Sequence, residues 1–451
     1  LLALASFLLA GLAGCQAYRN EPLAAPATLA DANVASAAPV APPATQPVNA
    51  TRHALDAADA DLADDGLFVG VAFSGGGLRA SNFSAASILE LDRAGLMSHV
   101  DALSAVSGGA LAAGYYCVAP DDQFTPDRVR AHLTYRFTPN LWAQLAYKWP
   151  AMWFGKRDRT DLVIASFRAH LLDGRDYTFA DLRPDRPRLF LNGTDLQTGA
   201  RFVFCNESFD AIHSDLAKFP LADALAAAVS HPVLLPGITL RNYAEREKRY
   251  RHVVDGGVND DLGVRTLVDH YSRGVERGKY PRGAILIVID SRILPDYDLA
   301  RRDDLDLIRS IQAGVRISAR VLLGEVSRAT LADLVLQNAR GDYRADELRS
   351  LVDTLRRTGH VVFADGGGRP VEVLHVSLLR LAQGPRPPGQ PMPDYVLRAN
   401  QVRTGLQIDP QDADSLYRCA EDIFRRQYEP TVRDMLNRVR AGSTTQPTAA
   451  G

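Results

Sequence analysis

Residues 67–73 read Leu-Phe-Val-Gly-Val-Ala-Phe, an apolar run without alternation that turn residues bound at both ends. A short run of this kind predicts a strand buried on both faces, as in a parallel sheet. Residues 102–106, 188–191, 252–254, 284–289 and 371–376 read the same way. Between them the apolar spacing turns helical, over 81–95, 109–117, 221–229, 305–323 and 345–357, and a further helix is expected over 410–439. Strands alternating with helices predict an α/β fold: a mainly parallel central sheet flanked by helices, followed by a C-terminal helical segment. Residues 384–393, rich in Pro and Gly, read as a surface loop before that segment.

The first 14 residues break this rhythm. They are almost all apolar, yet shorter than the ~20 residues of a membrane-spanning helix, and they match the core of a signal peptide. The absence of an initiator Met and of a basic stretch places the first residue inside such a signal. The run ends on Leu12, Ala13, Gly14 and Cys15, which resembles a bacterial lipobox. That resemblance implies cleavage before Cys15 and acylation of Cys15, with palmitate-type chains worth roughly 0.8 kcal/mol per buried methylene. Gln16 in the next position is similar to lipoproteins sent to the outer membrane, so the expected location is the bacterial cell envelope, lipid-anchored. A buried N-terminal helix with an incidental cysteine is the alternative. The Ala- and Pro-rich stretch that follows, with Pro22, Pro26, Pro39, Pro42, Pro43 and Pro47, argues against it. Residues 15–60 are expected to form the lipidated Cys and its tether, 61–440 the folded domain with its helical extension, and 441–451 a disordered tail.

At 451 residues, 46% hydrophobic and 23% charged, the chain can bury a large core, which excludes a disulfide scaffold or a wholly disordered protein. Lys and Arg number 51 against 53 Asp and Glu, a net charge of -2. No global positive field exists to hold a phosphate backbone, so nucleic acid is not an expected partner. Cys117, Cys205 and Cys419 match no metal spacing and read as small buried residues more readily than as one disulfide with a leftover thiol. No pair among the ten His has a zinc spacing, and no metal or cofactor is expected.

Three strand ends carry unusual residues. After the first strand, Gly75, Gly76 and Gly77 lead into a helix, where consecutive glycines can turn their N–H groups toward an anion. A tight turn is the bland reading, and a nucleotide site is weak because neither GxxxxGK[ST] nor GxGxxG is completed. After 102–106 comes Ser107-Gly108-Gly109, a turn that would project the Ser hydroxyl above the sheet and aim the Gly108 N–H at a developing oxyanion. Compared with GxSxG, Ala105 replaces the first Gly. After 252–254 comes Asp255-Gly256-Gly257, a carboxylate free to approach a partner closely, or else to cap a turn.

In this order and on separate βα units, the three resemble the patatin-like phospholipase family. Its GGGxR loop appears as Gly75-Gly76-Gly77-Leu78-Arg79, its nucleophile motif as Ala105-Val106-Ser107-Gly108-Gly109, and its DG[GA] motif as Asp255-Gly256-Gly257. The connecting stretches 193–199 and 228–236 are also similar to that family, whereas Ala80 stands where it usually has Gly. The resemblance implies a patatin-like fold and a lipid acyl hydrolase, a phospholipase A or esterase acting on membrane phospholipid. It further implies that Ser107 is the nucleophile and Asp255 its base, without an intervening His. Gly75, Gly76, Gly77 and Gly108 are then the oxyanion hole, and Arg79 fixes the loop or attracts a headgroup. The alternatives are a non-catalytic lipid-binding envelope lipoprotein, an acyltransferase, or a Ser-His-Asp esterase drawing on His270, His360 or His375. Finally, Trp142, Trp149 and Trp153, close to Lys156, Arg157 and Arg159, read either as an aromatic core segment or as an acyl-chain lid at a membrane interface.

Overall fold

The computed structural model describes residues 20–23, 65–135, 137, 159–231, 235–293, 343–384 and 389–443. The apolar run 1–14, Cys15, most of the 15–60 tether, the three tryptophans with Lys156 and Arg157, and the helix expected over 305–323 lie outside the described residues.

Nine strands among the described residues form one mixed sheet. Its middle is parallel: β1 (Phe68–Phe73) lies between β2 (Ala102–Val106) and β7 (Ala284–Asp290), with β3 (Arg188–Asp195) beyond β2 and β9 (Pro370–Ser377) beyond β7. Every residue of β1, β2 and β7 is buried, as their unbroken apolar runs predict. Antiparallel strands finish the edges: β4 (Arg201–Phe204) on β3, the hairpin β5 (Ile238–Arg241) and β6 (Tyr250–Asp255) also on β3, and β8 (His360–Ala364) on β9.

The pleat sends alternate side chains into two cores. Val69, Val71 and Phe73 of β1, with Ile285, Ile287 and Ile289 of β7, face α1 (Gly77–Arg93), α2 (Gly108–Val118) and α3 (Leu221–Ala228). Phe68 and Ala72, with Ala284, Leu286 and Val288, face Leu267 and Tyr271 of α4 (Val264–Glu276). The α1 face is also covered by the C-terminal helices α5 (Pro410–Asp422) and α6 (Glu429–Ser443). These replace the single helix expected over 410–439, because a π turn at Ile423–Gln427 breaks the register between them. Helix α6 runs to Ser443, so the expected tail does not begin at 441.

The N-terminal tether also needs correcting. Asn20 is 3% exposed and its side chain pairs with both backbone groups of Arg241, accepting from the N–H at 2.8 Å and donating to the carbonyl at 2.9 Å. Leu23 N–H donates to His213 O, and Asp215 N–H donates to Glu21 O. Residues 20–23 are therefore clipped to the domain. Cys117, Cys205 and Cys419 are buried free thiols, and no helix among the described residues is long and apolar enough to cross a membrane.

Candidate active site

Strand β3 brings the distant motifs together through its register. Strand β4 pairs with 191–194 of β3, overlapping the stretches used by both β2 and β6, so those two strands must share the other edge. On that edge Val106 of β2 stands opposite Asn192, and Asp255 of β6 stands opposite Gly193. One strand rises and the other descends, and they meet end to end. Ser107, the next residue after Val106, therefore comes beside Asp255, and its hydroxyl favours the ionised form of that carboxyl.

Ser107 has φ 49° and ψ -124°. A β-carbon at positive φ is strained by roughly 1–3 kcal/mol, and the turn gains from it a side chain held off the sheet at the start of α2. Ser107 is partly exposed, in a buried stretch that runs from Asp101 to Ala119. Asp255 is buried and accepts the Gly257 N–H at 2.8 Å. Burial pushes its carboxyl up, against the pull of the Ser107 hydroxyl, of the Gly257 hydrogen bond and of nearby His231.

The glycines are fixed by close approach. A β-carbon on Gly108 would stand 1.9 Å from Gly77 O, and one on Gly256 would stand 2.5 Å from Asn192 O. The starts of α1 and α2 are thus packed against each other, and the first N–H groups of each helix have no intrahelical acceptor. Among the described residues the N–H groups of Gly76, Gly77 and Gly108 take no hydrogen-bond acceptor. Gly75 differs. Its N–H is donated to Asp261 O at 2.9 Å, so it is not free for an oxyanion, and its role is steric: a β-carbon there would stand 2.5 Å from Asp261 Oδ1 and 3.3 Å from Ser107 Cβ.

Arg79 is 6% exposed and faces inward. Its Nε donates to Ser291 O at 2.8 Å and its Nη1 to Val402 O at 2.9 Å. The guanidinium ties the glycine loop to the end of β7 and to the C-terminal segment, where Gly405 O also accepts the Leu78 N–H at 2.8 Å. Of the two readings for Arg79, loop fixing matches this geometry.

Several neighbours have no motif to announce them. Ser81 Oγ lies 2.6 Å from Gly108 O and 3.2 Å from Gly77 O, joining the two glycine turns. Asn192 donates to Ala105 O and Ser104 Oγ beneath the elbow. Asp261 is wholly buried, and its carboxyl is raised to about 7 by burial first, then by the Asp290 and Asp255 carboxylates.

The three histidines that follow Asp255 are committed elsewhere. The ring of His270 lies against Phe68 and Phe190, and burial lowers its pKa to about 3. His360 Nε2 is 2.9 Å from Glu372 Oε1. His375 Nε2 is 2.9 Å from Asp290 Oδ2, and its Nδ1 is 3.0 Å from Arg380 Nη2. Arginine can only donate, so Nδ1 accepts and the proton is on Nε2. Strand β9 stands three strand spacings from β2, about 14 Å. A Ser-His-Asp arrangement drawing on these three is not assembled. Among the described residues no group of three His, Cys, Asp or Glu could hold a metal ion.

The chain is similar to solved structures of human GIVD cytosolic phospholipase A2, at 12% identity over 88% of this chain and 66% of that chain, with a TM-score of 0.45. The complex of that protein with methyl gamma-linolenyl fluorophosphonate gives 13% identity over 87% and 62%, with a TM-score of 0.44. This chain therefore spans slightly less than two thirds of their length. VipD from Legionella pneumophila matches at 12% identity over 79% of this chain and 67% of that chain, with a TM-score of 0.28. No curated protein matches the chain. The family model of patatin-like phospholipases matches residues 71–268, the stretch that contains the glycine loop, the Ser107 elbow and Asp255. Residues 71–268 are accordingly a domain of the patatin-like phospholipase family.

Proposed function

We propose that this protein hydrolyses carboxylic ester bonds of membrane lipids, as a phospholipase A or esterase, with Ser107 as nucleophile and Asp255 as its only side-chain base. The observation that carries the reading is the pair itself: a buried carboxyl pushed up by its surroundings, beside a partly exposed hydroxyl on a positive-φ turn. A serine hydroxyl is too weak an acid to attack an ester unaided, and a desolvated carboxylate is a stronger base than a solvated one.

In the forward step Asp255 takes the Ser107 proton as Oγ bonds to the carbonyl carbon. The carbonyl oxygen becomes an oxyanion facing the N–H groups of Gly76, Gly77 and Gly108, each such donor being worth on the order of 2.7–4 kcal/mol. Asp255 then returns the proton to the departing alcohol, leaving an acyl-Ser107 ester. Water repeats the sequence in reverse, giving its proton to Asp255 and releasing the fatty acid and the free hydroxyl. Acylation of Cys15 and placement in the bacterial envelope belong to the same proposal, and they put the enzyme beside its substrate.

The test is turnover of a short-chain ester and of phospholipid by the wild type, Ser107→Ala and Asp255→Asn, with a fluorophosphonate label. Labelling of Ser107 and turnover by the wild type alone are expected. Undiminished hydrolysis by Ser107→Ala would remove the proposal.

A further inference from the structure

Strand β6 leaves the sheet on the side where Ser107 opens. Asp255 pairs with Gly193, and Val253 pairs with Asp195, the last residue of β3. Arg251 and Tyr250 therefore lie past the end of the parallel strands. Five residues of strand from Asp255 to Tyr250 climb about 17 Å. Strand β5 returns alongside, with Arg241 opposite Tyr250, and Asn242 N–H donates to Arg249 O at 2.8 Å across the start of the tip. The hairpin thus stands proud of the catalytic end.

Its composition differs from that of the chain. Residues 241–251 contain five Arg and Lys and two Glu, an excess of three positive charges in a protein whose net charge is -2. Residues 244–250 are all exposed. Five large apolar side chains stand exposed among the described residues, and three of them border this hairpin: Tyr250 on it, Leu196 with its N–H on His252 O, and Val258 just past Asp255. A basic, apolar-rimmed projection beside an ester-cleaving site fits an anionic bilayer surface.

The clip at Asn20 fixes the same orientation independently. Its side chain holds both backbone groups of Arg241, and the Tyr243 hydroxyl donates to Asn20 O at 2.8 Å, so the N-terminal chain is fastened to the outer end of the hairpin. Cys15 is five residues upstream, a span of at most about 18 Å. An acyl anchor on Cys15 would therefore enter the membrane within that distance of the hairpin, on the side where Ser107 opens.

We propose that the β5–β6 hairpin is the surface by which this protein docks on anionic phospholipid, and that the Asn20 clip holds the anchored N-terminus to it so that Ser107 faces the membrane of its own anchor. The lipase reading gives this docking its purpose, but binding can be measured without turnover.

The experiment uses the full chain carrying Cys15→Ser, with vesicles of phosphatidylcholine alone or with added phosphatidylglycerol. The quantity read is the ratio of the two affinities, to which the apolar run 1–14 contributes equally. Salt-sensitive preference for phosphatidylglycerol is expected, reduced roughly a hundredfold by Arg246→Glu, Lys248→Glu and Arg249→Glu together, since each basic residue near such a surface is worth about fivefold. Short-chain ester hydrolysis should be unchanged in that variant, which shows that it is folded. Equal binding to the two vesicles, or a preference that survives the triple reversal, overturns the proposal. Loss of ester hydrolysis in the wild type would instead strike the lipase reading. In the acylated protein Asn20→Ala should lower phospholipid turnover severalfold and leave short-chain turnover unchanged; equal phospholipid turnover would refute the clip.

Discussion

Two acid-bearing strand ends flank β1 in this molecule and have opposite properties. At the end of β7, Asp290 accepts from His375 Nε2 at 2.9 Å and from Arg292 Nη2 at 2.6 Å and Nε at 2.8 Å, and it is fully buried. At the meeting of β2 and β6, Asp255 accepts the Gly257 N–H and lies beside one partly exposed hydroxyl. Burial would raise both carboxyls. Arg292, and then the His375 hydrogen bond, overcome burial at Asp290 and hold it well below the usual carboxylate range, whereas Asp255 stays raised. The Asp-His pair therefore has the composition of a hydrolytic relay without its reactivity, because its lone pairs and protons are committed. The Ser-Asp pair has fewer side chains and one group still open to substrate. Residue type alone does not separate the two; the number of partners does.

The sharpest way to break this contrast is to disable each pair in turn. Ser107→Ala and Asp255→Asn should each lower kcat by roughly 10⁴-fold, and the double variant should lose little more, since the two act as a unit. His375→Ala should keep esterase activity within tenfold per folded molecule, as should His270→Ala and His360→Ala. A collapse of kcat in His375→Ala at unchanged Tm would reverse the assignments.

Stability should invert the order. Asp290→Asn leaves the half-buried Arg292 guanidinium without its anion, and breaking a pair whose acid is fully buried costs up to about 3–5 kcal/mol. Its kcat per folded molecule should hold. Asp255→Asn removes a carboxyl that its surroundings prefer to keep protonated, so denaturant unfolding at pH 8 should find it at least as stable as the wild type. A harmless Asp290→Asn beside a destabilised Asp255→Asn would mean that the closed cluster is not the structural one.

How far this contrast could be read from the chain depends on what each residue touches. Strands β1, β2, β7 and β9 are legible because burial on both faces leaves an unbroken apolar run. Strands β4, β5 and β8 are four or five residues long and only partly buried, and so leave no such run. The polar half of β3, Asn192 to Asp195, hides a strand whose register decides the site, since only there do Val106 and Asp255 become neighbours. The glycine turns, Ser107 and Asp255 are visible as motifs because close backbone approach and positive φ restrict what can stand there. The loss of Gly75 as a donor, the Gly405 contact on Leu78 and the Asn20 clip depend on partners far away in sequence, which no local pattern encodes.

The smallest effect should come from Asp261, which lies between the two strand ends and senses both. Burial, then Asp290 and Asp255, raise its carboxyl from 3.8 to about 7, with Arg292 opposing and Asp260 adding a little. The folded protein therefore keeps a proton that the unfolded chain releases near pH 4. The stability this provides is complete below that pH and is lost as pH rises through the folded value. Asp261→Asn should erase the slope: relative to the wild type its Tm should climb between about pH 4 and pH 7 and then level off. Activity at pH 5 should barely change, because the wild-type carboxyl is then protonated and neutral like the amide. Parallel Tm curves over the whole window would mean that Asp261 titrates as an ordinary carboxyl and that the two strand ends are electrostatically separate.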